Sequence, residues 1–189
     1  MLLAGAEPDL ANTPPAGFAI LNGPEGAPYV DVAGRGRLAG CLSLSHCEDG
    51  AACAWCSDPA CRHGIDLERV EARHPAFADD YLTPAENAFA ADLPEALRPV
   101  WITLAWSARE AALKALGAGL RLDTRRLAVS PPEPASMAAA PGWQPLRVAV
   151  CGDTPANLDG WWQRRGDFIL TLVTSGDAAR TTLLEHSLS

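Results

Sequence analysis

Short apolar runs separated by turn residues recur along the chain and predict a protein with many β-strands. The first two runs flank a turn-rich segment, Asn-Gly-Pro-Glu-Gly at 22–26, which is typical of a tight connection between strands. The predicted strands lie at 17–32 (a strand or hairpin), 42–56 (two strands), 64–70, 126–129, 146–150 and 168–173.

Two segments carry the signals of α-helices. Thr83 can cap a helix, Pro84 fits the first helical position, and Glu86 completes a capping box, so a helix is predicted to begin there. A second helix is predicted over about 100–116, and Gly117 ends it. Short strands mixed with two helices, without an obvious internal repeat, indicate an α+β fold.

The length and net charge of the chain argue against some classes of protein. The chain has 189 residues, enough for one large domain or two small halves. Its net charge of −8 argues against nucleic-acid binding. No apolar run approaches the ~20 residues that cross a bilayer, and the first residues, with Glu7 and Asp9, do not resemble a secretion signal. A cytoplasmic protein with neither a nucleic-acid nor a membrane partner is expected.

Five of the six cysteines fall between positions 41 and 61. Without a secretion signal they are expected to be thiols rather than disulfides. The spacing of Cys53, Cys56, Cys61 and His63 could hold zinc, so a zinc-containing interaction domain is one hypothesis. In a strand, however, Cys53 and Cys56 point to opposite faces, and small thiols suit a buried strand. That second interpretation is favoured.

Two pairs of charged residues stand out at spacings that bring side chains together. Asp66 and Glu68 are two apart on a predicted strand, so they share a face and repel unless a cation or a proton is present. Glu110 and Lys114 are four apart on the second helix and also share a face. Lys114 is the only lysine in the chain. Taken singly, each pair also fits a solvated surface.

Together these groups suit phosphoryl transfer. Three carboxylates fit Mg²⁺, which keeps water ligands and accepts substrate phosphates, and lysine is a point-charge partner for phosphate. Ser45 and His46, near the end of a strand, could hydrogen-bond to a pyrophosphate or lie at the surface. The sequence contains no Walker or Rossmann glycine loop and no Gly-x-Ser-x-Gly elbow.

Five segments, in this order, resemble the 4′-phosphopantetheinyl transferase superfamily. They are GAPY at 26–29, LSLSH at 42–46, GIDLE at 64–68, YLTPAE at 81–86 and WSAREAALK at 106–114. The third and fifth, about forty residues apart, make the resemblance specific; it covers roughly 26–129, with a final strand at 168–173. The Asp-x-Glu form and the length resemble the Sfp-type branch with a shortened N-terminal half.

The resemblance implies a fold of two similar halves, each with a small antiparallel sheet and a helix. The first half is abbreviated. The N-terminal half, 17–63, would lie on the coenzyme A side, and the C-terminal half, 64–174, would carry the metal and the catalytic groups. A flexible N-terminus, 1–16, and a C-terminal tail, 175–189, would flank them.

The implied reaction transfers the 4′-phosphopantetheine arm of coenzyme A to a serine of an apo acyl or peptidyl carrier protein. It would depend on Mg²⁺, with Mn²⁺ as an alternative ion, and release adenosine 3′,5′-bisphosphate. The carrier would serve fatty-acid, polyketide or nonribosomal peptide biosynthesis, and the enzyme would be a monomer or a small homo-oligomer. Because the first half is short, a catalytically silent carrier-binding module is the alternative, which coenzyme A binding would distinguish.

The resemblance also implies roles for individual residues. Asp66, Glu68 and Glu110 would hold the metal. Glu110, or a water on the metal, would be the base for the carrier serine, and Lys114 would contact the pyrophosphate and stabilise or protonate the leaving group. The other residues expected to bind coenzyme A are Ser45, His46, Arg109, Gly26, Pro28, Arg35 and Arg37.

A basic stretch is the candidate carrier surface. Residues 97–126 contain six basic and two acidic side chains, an excess of +4 within a protein of charge −8. Arg121, Arg125 and Arg126 lie at its end and are predicted to receive an acidic carrier. A solvated arginine cluster beside a sheet is the other interpretation.

Overall fold

The computed structural model describes residues 8–10, 12–48, 50–138, 142–152 and 154–176. Its helices are α1 (Pro75–Tyr81), α2 (Pro84–Asp92), α3 (Arg98–Leu116) and α4 (Pro134–Ala138). Its strands are β1 (Phe18–Asn22), β2 (Pro28–Val32), β3 (Gly36–Arg37), β4 (Cys41–Cys47), β5 (Gly50–Cys56), β6 (His63–Arg69), β7 (Leu127–Val129), β8 (Gln144–Val150), β9 (Ala156–Arg165) and β10 (Phe168–Thr174).

The strands form three antiparallel sheets. Strands β1, β2 and β3 pair in that order, β4 and β5 form a hairpin, and the remaining strands form a five-stranded sheet of order β6-β10-β9-β8-β7. Strand β10 pairs with β6 along its whole length, Phe168 opposite Arg69 and Thr174 opposite His63. The architecture is therefore α+β, as predicted.

Helix α3 lies across the five-stranded sheet and forms the main core with it. Trp101 and Leu104 of the helix and Trp162 and Ile169 of the sheet are fully buried in one cluster. Large apolar side chains from both layers remove a continuous surface from water, and this burial is the main stabilising contribution to the fold. Helix α3 ends at Gly117, whose left-handed φ of 60° suits glycine.

Helix α2 begins as its sequence predicts. The Thr83 hydroxyl accepts a hydrogen bond from the Glu86 backbone N–H at 3.3 Å, and the Glu86 carboxylate accepts one from the Thr83 N–H at 2.7 Å. This reciprocal pair is a complete capping box. The hairpin over 17–32, the paired strands over 42–56 and the helix over 100–116 are confirmed as well.

Other elements differ from the expectations. Helix α1, helix α4, strand β3 and strand β9 are not among the predicted elements. Among the described residues no α-helix precedes Pro75, so the helix expected in the first half is not seen there. Positions 1–7 and 177–189, in the predicted flexible terminus and tail, lie outside the described residues. Within the described part of the chain, no helix is long and apolar enough to cross a membrane.

A second, smaller core joins the N-terminal sheet to the hairpin. Leu10, Val30, Val32 and Leu42 are buried together in this cluster. Leu10 belongs to the segment 1–16, so the packed part of the chain includes a residue of that segment.

Candidate active site

Strand β6 and helix α3 approach each other closely at Gly64. A Cβ atom at that position would lie 2.0 Å from the Ala111 carbonyl oxygen and 2.7 Å from the Ala115 backbone nitrogen. Only glycine leaves room for the helix backbone to pass over the strand here. Residues 66 and 68 share the face of β6 that carries Gly64, so the approach places them beneath the helix.

Asp66 lies at the centre of the site and is almost completely buried. Its Oδ1 accepts hydrogen bonds from the Ser45 hydroxyl at 2.9 Å and from Lys114 Nζ at 2.8 Å. Lys114 Nζ also donates to the Ile65 carbonyl at 2.9 Å. The second oxygen, Asp66 Oδ2, is buried without a hydrogen-bond partner. A buried, unpartnered carboxylate oxygen is costly, so this atom is available to a further ligand.

Glu68 is held in place by two donors. Trp106 Nε1 donates to its Oε1 at 3.0 Å, and Arg73 donates to its Oε2 at 2.7 Å. Burial raises the pKa of Glu68, and the negative charge of Asp66 adds to this effect, while Arg73 and Trp106 oppose it. The net rise shows that a negative charge on Glu68 is not fully compensated by its two partners.

Glu110 adds a third carboxylate to the same place. Burial raises its pKa, the charges of Asp66 and Glu68 raise it further, and Lys114 opposes the rise. The negative charge of Asp66 therefore helps to raise the pKa of both Glu68 and Glu110. The structure therefore places Asp66, Glu68, Glu110 and Lys114 near one another.

The donor set fits a divalent cation in its chemistry. Three carboxylates repel one another, and the unpartnered Asp66 Oδ2 is an oxygen that Mg²⁺ could use. In the described part of the chain, however, no three His, Cys, Asp or Glu side chains are already arranged as a metal-binding group. The Lys114 ammonium supplies the positive charge beside Asp66.

These pKa shifts predict a pH dependence of stability. Because folding raises the pKa of Glu110 above its ordinary value of 4.5, the folded protein holds its proton more tightly than the unfolded chain. The free energy of unfolding therefore falls as the pH rises through the window above 4.5. The Glu110→Gln variant lacks this titration, so its free energy of unfolding relative to that of the wild type is expected to increase as the pH rises above 4.5.

Urea unfolding of both proteins at several pH values, without divalent cations, measures this difference. Glu133→Gln, at an exposed glutamate outside the site, is the matched control and should give a difference that does not increase with pH. A Glu110→Gln difference that stayed constant or decreased with pH would contradict the electrostatic description of the site.

The two hairpin residues predicted to bind coenzyme A are placed differently. Ser45 reaches the site through its hydrogen bond to Asp66. His46 is the next residue on β4, so it points to the other face of the hairpin, where it is exposed. The structure brings Ser45, and not His46, to the carboxylates.

The remaining candidates of the N-terminal half lie in its three-stranded sheet. Gly26 forms the turn before β2 with a left-handed φ of 82°, and Pro28 is the first residue of that strand. Arg35 follows the far end of β2, roughly 15 Å away for a five-residue strand. The Arg37 guanidinium lies 4.5 Å from the centre of the Tyr29 ring. Arg37 thus lies over the residue that follows Pro28, whereas Arg35 lies at the other end of β2.

Arg109 is a predicted cofactor residue whose side chain the structure encloses away from the carboxylates. Its side chain is fully buried and forms an ion pair with Glu86. It also donates to the carbonyls of Ala105 at 2.9 Å and Thr124 at 3.2 Å. A side chain enclosed in this way cannot reach a phosphate of coenzyme A. The prediction is corrected to a structural role, in which Arg109 ties α3 to the start of α2.

The three candidate partner residues are exposed on the segment that follows α3. Arg121 donates to the Gly117 carbonyl at 2.8 Å, close to the end of the helix that carries Lys114. Arg125 is paired with Asp123 at 3.0 Å, and Arg126 donates to the Cys151 carbonyl at 3.0 Å. All three side chains are accessible to a partner, although the charge of Arg125 is neutralised by Asp123.

Sequence reasoning missed Arg73 and the aromatic cluster beside it. Phe77 and Tyr81 of α1 contact the Trp106 ring, with centroids 5.3 and 5.0 Å away, and Arg73 stacks over Phe77 at 4.6 Å. This cluster forms one wall next to Glu68. Two features of the sequence indicated Trp106: it lies one helical turn before Glu110, and it begins the segment WSAREAALK.

The zinc hypothesis on Cys53, Cys56, Cys61 and His63 is not supported. Cys53 is exposed and, three residues from Cys56 on β5, lies on the opposite face of that strand. Among the residues that the structure describes, no group of three or more such side chains is arranged to hold a metal ion.

Comparisons with known proteins agree with this geometry. The family model for the 4′-phosphopantetheinyl transferase superfamily matches residues 62–170, which contain all three carboxylates and Lys114. The 4′-phosphopantetheinyl transferase HetI of Nostoc sp. is 32% identical over 110 residues, covering 57% of this chain and 46% of the relative. A holo-[acyl-carrier-protein] synthase of Streptococcus pyogenes is 38% identical over 64 residues, 31% of this chain and 54% of the relative. The matches thus span about half the length of these relatives.

Proposed function

The chain belongs to the 4′-phosphopantetheinyl transferase superfamily, and from this premise we propose that it transfers the 4′-phosphopantetheine arm of coenzyme A to a serine of an apo carrier protein. The observation that supports the proposal best is the buried Asp66. It is bound by the only lysine of the chain on one oxygen and has no partner on the other. The names of the relatives, a phosphopantetheinyl transferase and a holo-[acyl-carrier-protein] synthase, point to the same reaction.

Asp66, Glu68 and Glu110 are the residues that we assign to Mg²⁺, with Mn²⁺ as the alternative ion. When bound, the ion would neutralise negative charge on the pyrophosphate of coenzyme A. Arg73 and Trp106 each donate a hydrogen bond to one oxygen of Glu68 and so keep its carboxylate in position. Residues that fix a ligand in this way reduce the cost of ordering the site when substrate binds.

Lys114 is placed to act on the pyrophosphate. Its side chain is 31% exposed, so the ammonium can leave Asp66 and donate to a phosphate oxygen beside it. A positive charge there stabilises the bisphosphate oxygen as its bond to phosphorus breaks. Its long, unbranched side chain allows this movement without a change in helix α3.

Glu110 is the candidate base for the carrier serine. It is half-buried and its pKa is raised by burial and by the neighbouring carboxylates, so it accepts a proton more readily than a solvated glutamate. The serine oxygen forms a bond to the phosphorus next to the pantetheine arm while the bond to the bridging oxygen breaks. Adenosine 3′,5′-bisphosphate leaves.

We further propose binding surfaces for coenzyme A and for the carrier protein. We assign coenzyme A to the side of residues 17–63, with Ser45 at the pyrophosphate and His46, Gly26, Pro28, Arg35 and Arg37 as further candidate contacts. The exposed residues Arg121, Arg125 and Arg126 would receive the acidic surface of the carrier. Residues 64–174 would then carry the metal and the catalytic groups.

Release of adenosine 3′,5′-bisphosphate tests the proposal. The protein, coenzyme A and Mg²⁺ are incubated with and without an apo acyl carrier protein, and the nucleotides are separated by chromatography. Bisphosphate that forms only with the apo carrier is expected. Carrier binding without coenzyme A binding or bisphosphate release would instead favour the catalytically silent module.

Lys114→Ala is expected to lower the rate of transfer by about a hundredfold, because it removes one charged donor from the developing negative charge. Because Lys114 pairs with the buried Asp66, the substitution also lowers the stability, but the loss of rate should be the larger effect. Arg147→Ala, at an exposed arginine on β8, is the control for loss of a positive charge. A collapse of the thermal midpoint in Lys114→Ala would show that the lysine is structural.

A further inference from the structure

Three cysteines and a histidine form a second cluster of reactive side chains, outside the carboxylate site. Cys41 and Cys56 are direct partners across the β4–β5 hairpin. The Cys61 sulfur lies 3.5 Å from His63 Nδ1. Interaction with His63 lowers the pKa of the Cys41 thiol, and interaction with Cys56 contributes to the raised pKa of Cys61, so the four side chains are neighbours. We call Cys41, Cys56, Cys61 and His63 the thiol cluster.

The orientation of His63 makes its Nδ1 a proton acceptor. Its Nε2 lies 3.0 Å from the Ala54 carbonyl, which can only accept, so Nε2 carries the hydrogen. In the neutral ring Nδ1 then has a free lone pair that faces the Cys61 sulfur, and His63 also interacts with the Cys41 thiol. An imidazole fixed in this way can take the proton of a thiol and stabilise the resulting thiolate.

The three thiols are not equivalent. The interaction with His63 lowers the pKa of Cys41, against the opposing effect of burial. Burial raises the pKa of Cys61 to about 12, and its interaction with Cys56 contributes to the rise. Only a thiolate reacts readily with an oxidant, so Cys41 is the favoured nucleophile of the cluster and Cys61 the least reactive member.

The position of Cys56 suits a disulfide with Cys41. Paired residues on neighbouring antiparallel strands have Cα atoms about 4.5–5.5 Å apart, within the roughly 4.4–6.8 Å that a disulfide spans. Both residues are half-buried, so a small oxidant can reach them. In a reducing compartment such a bond is transient and depends on the oxidant present.

We propose that Cys41 and Cys56 are a peroxide-sensitive pair that closes the open end of the β4–β5 hairpin with a disulfide. His63 Nδ1 takes the Cys41 proton, the Cys41 sulfur bonds to one peroxide oxygen as the O–O bond breaks, and the returned proton releases one water. The Cys56 thiol then attacks the Cys41 sulfenic acid, the S–S bond forms, the S–O bond breaks, and a second water leaves. Two thiols are oxidised and one hydrogen peroxide is reduced.

The Cys41–Cys56 disulfide would constrain strand β4, which also carries the serines that contact the carboxylate site. Cys41 and Ser45 lie on the same face of β4, since they are four residues apart. On that face Ser43 accepts a hydrogen bond from the Ile65 N–H at 3.0 Å, and Ser45 donates to Asp66. The inference does not depend on transferase activity, because its test follows sulfur chemistry.

Hydrogen peroxide in small excess over the reduced protein tests the proposal. We expect two of the six thiols to be lost, a protein lighter by two hydrogen atoms, and a Cys41–Cys56 peptide pair that dithiothreitol separates. Cys56→Ser should instead accumulate a sulfenic acid on Cys41 that dimedone traps. In Cys41→Ser, Cys56 should remain a free thiol. Cys47→Ser is the matched control, because Cys47 is half-buried on the same face of β4 but lies opposite Gly50; it should behave as the wild type.

Several results would overturn the proposal. Oxidation of the exposed Cys53 and Cys151 before any Cys41–Cys56 bond forms would show that exposure alone governs reactivity. A Cys56–Cys61 disulfide as the main product would show that Cys56 pairs with Cys61 and not with Cys41. Stoichiometric zinc in the freshly purified protein, with oxidation only after chelation, would make the thiol cluster a metal site instead.

Discussion

Asp66→Asn is expected to lower the rate of phosphopantetheine transfer by about a thousandfold. Loss of a metal-ligand charge removes several kcal/mol of stabilisation from the transferring phosphoryl group, and each 1.36 kcal/mol is a factor of about ten in rate. Asparagine keeps the shape of the side chain and can still accept hydrogen bonds from Ser45 and Lys114 at the position of Oδ1. The fold should therefore survive the substitution.

A second measurement separates this effect from simple damage to the site. Mg²⁺ should raise the thermal midpoint of the wild type near neutral pH, because a ligand that binds only the folded state stabilises it. The same addition should have little effect on Asp66→Asn. Both readouts use the intact protein, and the second does not require a carrier.

Asp159→Asn is the matched control for the first prediction. Asp159 also lies on a strand of the five-stranded sheet and is paired with Arg147 at 3.4 Å, but its side chain is half-exposed. This variant should keep both its activity and the Mg²⁺-induced shift. Near-normal activity of Asp66→Asn would contradict the assignment of Asp66 to the metal.

Gly64→Ala is expected to have the largest effect on stability. The added methyl carbon would lie 2.0 Å from the Ala111 carbonyl oxygen and 2.7 Å from the Ala115 nitrogen, which are helix backbone atoms. Rotation of a side chain cannot relieve such contacts, so β6 and α3 must separate. Overpacking of a core costs about 1–3 kcal/mol and occasionally more, and here we expect a loss of at least about 3 kcal/mol in the free energy of unfolding.

Gly176→Ala is the control, because a Cβ at Gly176 meets no atom within 4 Å. Denaturant unfolding of the two variants and the wild type gives the comparison. Gly176→Ala should leave the midpoint nearly unchanged. A Gly64→Ala protein as stable as the wild type would show that the close approach of β6 and α3 is not required.

Local signals in the sequence were sufficient for several elements. The start of α2 was predicted because the capping groups of Thr83 and Glu86 lie three residues apart and interact with each other. The carboxylate pairs were predicted because the periods of strand and helix place them on single faces. The face of β6 meets the face of α3 because Gly64 lets the two elements approach. Its neighbour Ala111 is 47 positions away, and the spacing of residues in the sequence does not predict this contact.

Strand β9 shows where the pattern fails. Its ten residues include charged and polar side chains, and their burial does not alternate regularly. It is nevertheless the central strand of the five-stranded sheet. Pairing along both edges determines this strand, and Gly160 lets it approach β10, where a Cβ would lie 2.3 Å from the Leu172 carbonyl oxygen. Such an interaction between strands is not encoded in the hydropathy of one segment.

Arg109 shows the same limit in the site. It is adjacent to Glu110 in the sequence, and the family resemblance implied that it binds coenzyme A. Successive helical residues point about 100° apart, so Glu110 faces β6 while Arg109 turns toward α2 and pairs with Glu86. The sequence contains both charges, but their pairing over 23 positions becomes visible only once the helices are packed.

The mass of the carrier protein tests the central claim most directly. An apo acyl carrier protein is incubated with coenzyme A, Mg²⁺ and either the wild type or Asp66→Asn, and is then weighed intact by mass spectrometry, with a carrier whose acceptor serine is replaced by alanine as a further control. We predict that the wild type converts the carrier to a form heavier by one phosphopantetheine arm, and that neither control gains mass. An unchanged carrier with the wild type, across several acyl and peptidyl carriers, would contradict the proposed transferase activity.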